Sequence, residues 1–174
     1  MEGKNEHLFI VKANKNHGFA NFSEARIWAK KHITGTVHQL EIGVVNISST
    51  AIDKYLSKKA VEKSTSKDIH LSALRILPDI IKNSFVGNIH SDKNNNENIK
   101  DIVRLFSAID ISDKIYCVKT TVKRYNNPNE KTKAYSYEVK EIELLNGTHG
   151  DDLASPLPRT FNNSISNCKD TTNF

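Results

Sequence analysis

Apolar residues along this chain recur with two periods, one near 3.6 and one of 2, and the changes between them divide it into helices and strands. Residues 7–13, HLFIVKA, form a short apolar run that reads as a strand, and the Gly/Asn-rich stretch 14–21 reads as a loop. The spacing then predicts a helix over 23–32. Ser23 is its N-cap, Glu24 suits the first turn, and Phe22 and Ile27 have the spacing of a hydrophobic staple. Ala25, Trp28, Ala29 and Ile33 fall on one face, and Gly35 closes the helix as its C′ residue. Residues 36–47 are rich in Thr, Val and Ile and predict one strand, with Gly43 as a bulge.

A second helix is expected from 48–50 to about residue 60, with Thr50 and Asp53 at capping-box spacing. A polar loop, 62–67, leads to a third helix over 68–84, capped by Ser66 or Thr65. Its stripe is Ile69, Leu74, Leu77, Ile80 and Ile81, and Pro78 should kink or divide it. Residues 87–98 are Asn-rich and charged and read as a loop. Residues 97–108 predict a fourth helix, with Ile99, Ile102, Val103 and Phe106 inward. Residues 114–124, KIYCVKTTVKR, alternate strictly. Tyr116, Val118 and Val122 share one face, and Cys117, Lys119, Thr121 and Lys123 the other. A turn-rich loop over 126–133 and a return strand over 134–145 complete a long antiparallel hairpin. On this return strand Tyr135 and Tyr137 fall on one face. The stretch 146–174 loses periodicity and reads as a polar tail, either disordered or ordered by a partner. Helices that pack on a late hairpin make the fold class α+β, in one domain over 1–145 followed by the tail 146–174.

At 174 residues the chain can bury a core without staples. Its two cysteines, Cys117 and Cys168, are isolated, so neither a disulfide framework nor a zinc site is indicated, and a reducing compartment is the natural expectation. The chain has no apolar run long enough to span a membrane, and residues 1–7 are polar, unlike a signal peptide. A cytosolic protein is expected; delivery into a target cell by a dedicated machine would leave no mark of this kind. The net charge of +5 favours polyanionic partners such as nucleic acid. No HExxH, DxDxDG, P-loop or GxGxxG pattern occurs, so nothing supports a metal or a nucleotide cofactor.

Within this frame the strongest candidate chemistry is the face of Lys119, Thr121 and Lys123, where period two sets successive groups about 7 Å apart. A phosphate would satisfy both ammonium groups; the alternative is a solvated sheet face. His70 edges the stripe of the third helix near its N-terminus. That position favours a neutral imidazole able to act as a base; the alternative is a core histidine bonded to backbone. Lys54 and Ser57 share a face of the second helix, and Ser64 lies just before His70 where a phosphate could approach a helix N-terminus. His90 belongs to the Asn-rich loop, where it is either functional or merely solvated. Tyr135 could stack a base or simply pack.

The segments NFSEARIWAKKHITGT (21–36), ISSTAIDKYLSKKAVEKSTSKDIHLSALRILPDII (47–81), NIKDIVRLFSAIDISDKIYCVKTTVKRY (98–125) and KAYSYEVKEIEL (133–144) occur in an order that resembles the phage Barnase–EndoU–colicin–RelE-like nuclease domains and the related large polyvalent protein associated domains. The resemblance covers about four-fifths of the chain. It implies a helical N-terminal half on a curved antiparallel sheet and metal-independent cleavage of RNA by 2′-OH attack. It implies His70 as base or acid and Lys119 and Lys123 as stabilisers of the transition state. It also implies phosphate binding by Lys54, Ser57 and Ser64, and substrate positioning by Thr121, Tyr135 or Ser136. No cofactor is implied; RNA is the expected partner, with an immunity or antitoxin protein as a second. The competing expectation is a non-catalytic domain of a mobile-element protein that binds nucleic acid or a partner.

Overall fold

The computed structural model describes residues 10–141. The expected N-terminal start of the first strand (7–9), the end of the return strand (142–145) and the tail with Cys168 lie outside the described residues. In chain order the elements are β1 (Ile10–Ala13), α1 (Phe22–His32), β2 (Gly35–Gln39), β3 (Gly43–Ile47), α2 (Ser49–Tyr55), α3 (Lys58–Glu62), α4 (Lys67–Arg75), α5 (Leu77–Lys82), β4 (Phe85–His90), β5 (Ile99–Ile111), β6 (Lys114–Tyr125) and β7 (Lys133–Glu141). The strands make one curled, mixed sheet in the order β1-β5-β6-β7-β3-β2, with β4 also paired to β5. β1 and β3 join their neighbours β5 and β7 in parallel; the other pairings are antiparallel. Helices packed on a sheet built around a long hairpin give the α+β class. Among the described residues no helix is long and apolar enough to cross a membrane.

The helices begin where side chains can satisfy their free N–H groups. α1 is capped by Asn21, not Ser23: the Asn21 side chain accepts from the Glu24 N–H at 2.9 Å, and the Glu24 carboxylate accepts from the Ala20 N–H at 2.7 Å. Asn and Ser are about equally good caps, so a start two residues earlier costs the sequence reading little. Ser48, not Thr50, caps α2, because Asp53 is held by Arg26 (3.0 Å) and Lys30 (2.9 Å) of α1 and ties the two helices together. The expected second helix stops at Tyr55, and Ser57 restarts the chain as the cap of α3. Ser66 caps α4 as expected, and Pro78 divides the third helix into α4 and α5, where it occupies the first turn. The 36–47 run is not one strand but a hairpin. The Gln39 carboxamide accepts from the N–H groups of Glu41 and Ile42, and Gly43 takes a φ of +79° at the turn.

The largest departure is β5. Residues 97–108 do not form a helix; from Ile99 on they belong to a 13-residue strand in the middle of the sheet. Its inner face, Val103, Leu105, Ile109 and Ile111, meets the main core. Its outer face carries Phe106 and Ala108 into a second, smaller cluster with Cys117, Ile10, Phe85 and Ile115. A strand covered on both sides loses its alternation, so Ile99, Ile102, Val103 and Phe106 imitate helical spacing. Residues 87–90 of the expected loop are likewise strand. β4 runs beside β5 through a bulge at Gly87, whose bare Cα lies under the Phe106 ring: a Cβ there would sit 2.1 Å from the ring carbons.

Candidate functional site

Two rows of side chains cross β5, β6 and β7 on the face turned away from the main core. The pairing register sets Arg104, Thr121 and Ser136 in one row and Phe106, Lys119 and Glu138 in the next. α2 and α3 bring Lys54, Ser57, Lys59 and Lys63 to the flank, and the turn after β4 brings Lys93. Together they line a basin of about 550 Å³, in which seven lysine or arginine side chains face one carboxylate, Glu138. A smaller basin of about 330 Å³ adjoins it and is lined by Asn88, His90, Ser91 and Phe106; the two share Lys93, Arg104 and Lys119.

Of the three shared cations, Lys119 and Arg104 are withdrawn from water, whereas Lys93 is exposed. The Lys119 side chain is 8% exposed and its ammonium donates to the Glu138 carboxylate, itself 17% exposed. Arg104 donates to the Thr121 hydroxyl. Burial pulls the guanidinium below its usual pKa, against the opposing field of Glu138, yet an arginine remains charged at any physiological pH. Cations withdrawn from water gain most from a polyanion that replaces the lost hydration. At the rim of the smaller basin the His90 Nδ1–H donates to the Ser91 carbonyl at 2.8 Å, which leaves Nε2 as the site that can take or give a proton.

Tyr135 owes its position to an irregularity. The β6–β7 register slips between Thr121 and Val122, so Ala134 pairs with Val122, Ser136 pairs with Thr121, and Tyr135 is the extra residue of a bulge. Ala134 and Tyr137 stay in the core while Tyr135 is carried into the basin, which corrects the expectation that the two tyrosines share a face. Its ring, 36% exposed, bears the ammonium groups of Lys54 at 4.3 Å and Lys123 at 3.7 Å from the centroid.

The structure thus brings Lys119, Thr121, Lys54, Ser57, Tyr135 and Ser136 to one basin, with Lys123 on its aromatic rim. It does not bring His70 or Ser64 there. His70 is fully buried: Nε2–H donates to the Tyr55 carbonyl at 2.8 Å, and Nδ1 accepts from the Ser64 hydroxyl at 2.7 Å. Ser64 in turn accepts from the Val139 N–H at 2.9 Å, and the imidazole stacks on Tyr137 at 4.3 Å between ring centroids. Burial lowers the pKa of His70 to about 4, against the opposing hydrogen bond to Tyr55. This is a neutral histidine that stitches α2, the 64–65 turn and β7 together. Sequence reasoning missed Arg104, Glu138, Lys59, Lys63, Lys93 and Lys140. Arg104 was hidden by the helical misreading of β5. Glu138 meets Lys119 only through the register.

A family model described as large polyvalent protein-associated domain 3 matches residues 20–135. The chain belongs to this family. Searches of the curated proteins and of the solved structures gave no significant match. The span matched to the polyvalent protein-associated domain runs from Ala20, just before the cap of α1, to Tyr135 and takes in Lys54, His90, Arg104, Lys119 and Lys123. Glu138 and Lys140 lie just beyond it.

Proposed function

We propose that the paired basins bind the phosphodiester backbone of RNA and cleave it by attack of the 2′-hydroxyl. The observation that supports this reading most is the position of Arg104 and Lys119. These weakly solvated cations are shared by a basin that holds a carboxylate and a basin that holds an imidazole. RNA transesterification needs a base for the 2′-OH proton, an acid for the 5′-oxygen and positive charge at the phosphorane between them. Glu138 on β7 takes the first role and His90 on β4 the second. β7 and β4 are three strand spacings apart, about 14 Å before the side chains reach inward. Arg104, Lys119 and Thr121 hold the phosphate; Lys54, Ser57, Lys59 and Lys63 hold its neighbours. His70 takes no part.

The test is cleavage of single-stranded RNA by purified protein in EDTA, with 2′,3′-cyclic phosphate ends as the product. Glu138→Gln and His90→Ala should each slow it about 10²- to 10⁴-fold with the fold retained. Undiminished cleavage by both variants refutes the assignment. One observation favours a second reading, a binding module without turnover: Glu138 is already engaged by Lys119. That reading requires salt-sensitive binding of RNA that emerges uncut.

A further inference from the structure

The Tyr135 bulge has a consequence for the kind of nucleic acid these basins accept. A bulge costs one ladder pairing and recurs beside functional sites, where it re-aims a side chain. Here it withdraws a tyrosine from the core side of β7, where Tyr137 and Val139 are fully packed, and sets it partly exposed beside Arg104, Thr121 and Ser136. Packing does not account for that: the ring touches two lysine ammonium groups and adds nothing to the main core.

We infer that Tyr135 is a base-stacking platform and that the ligand is single-stranded, with one unpaired base lying on this ring while its phosphate sits at Arg104 and Lys119. The inference rests on the RNA reading above and narrows it. Bases inside a duplex are already stacked and cannot reach a ring on a sheet face; an unpaired base can. Lys54 and Lys123 do not block the site. An exposed cation–π contact is worth about a two- to fivefold gain in an equilibrium, so the two together are worth about 5- to 30-fold, whereas a stacked base is worth up to about 150-fold. The flexible lysine stems let the ammonium groups leave the ring for the phosphates on either side of the base. Ser136, next in sequence and also lining the basin, offers a hydroxyl to the sugar.

The experiment measures binding of three probes: a short single-stranded 2′-O-methyl oligonucleotide carrying one 2-aminopurine, which cannot be cleaved; the same sequence as a duplex; and inorganic polyphosphate, which has charge but no base. The expected result is quenching of 2-aminopurine on binding and weaker binding of the duplex. Tyr135→Leu should lose about tenfold or more for the single strand and nothing for polyphosphate, and Tyr135→Trp should restore single-strand affinity. Thermal unfolding shows that the Leu variant is folded. If Tyr135→Leu binds the single strand as the unaltered protein does, the platform is refuted while the cationic basin stands. If the unaltered protein binds neither oligonucleotide nor polyphosphate, the phosphodiester reading fails and the platform falls with it.

Discussion

Acidification should destabilise this protein by way of one histidine. The unfolded chain titrates His70 at its ordinary value of 6.5, whereas the buried imidazole titrates at about 4. Above pH 6.5 the ring is neutral in both states and contributes no pH dependence. Between 6.5 and 4 the unfolded chain binds a proton that the folded protein refuses, so stability falls as pH falls. Below 4 the folded protein takes the proton too, and the loss levels off. A pKa separation of about 2.5 corresponds to about 3 kcal/mol at pH 4. For a domain of this size that is on the order of 10 °C in Tm. The informative quantity is the difference between unaltered protein and His70→Gln. The variant should start less stable near neutrality, because Gln keeps a donor and an acceptor but loses the ring that stacks on Tyr137. Its curve should then be flatter towards acid. The assay is thermal or urea unfolding at a series of pH values, followed by circular dichroism. Parallel curves for the two proteins would show that the ring is not held neutral, and with it would go the argument that His70 is architectural.

Ser64→Ala should cost about 1–3 kcal/mol, because it strands both the His70 Nδ1 acceptor and the Val139 N–H in the core; urea unfolding measures this. Gly87→Ala should destabilise by about 1–3 kcal/mol as the new methyl forces Phe106 off its seat, and the same assay checks it; neutrality would mean that the bulge shifts freely. Binding of single-stranded RNA should weaken with salt, the logarithm of the constant falling with a slope of about −0.7 for each phosphate neutralised. Fluorescence titrations should give a slope corresponding to several contacts, and a slope near zero would dismiss the basin as an electrostatic site.

The elements whose cause is local could be read directly from the residues. α1 and α4 were legible because caps, apolar spacing and charges agree over a few residues, and Pro78 announced the break between α4 and α5. The β6–β7 hairpin was legible because strict alternation survives wherever the two faces meet different surroundings. That Lys119, Thr121, Lys54 and Ser57 deserved notice also came from local pattern, whereas Ser136 came only from the family resemblance. Only the tertiary structure decided β5, because a strand buried on both faces carries no period of its own. It alone sent His70 into the core, where the Ser64 hydroxyl and the Tyr55 carbonyl complete its hydrogen bonds. It alone set Glu138 opposite Lys119 and turned Tyr135 outward. Both follow from strand register, and a slip of one residue exchanges the faces of every side chain beyond it. Register is fixed by the total burial of the sheet, a sum over contacts far apart along the chain that no short window of sequence contains.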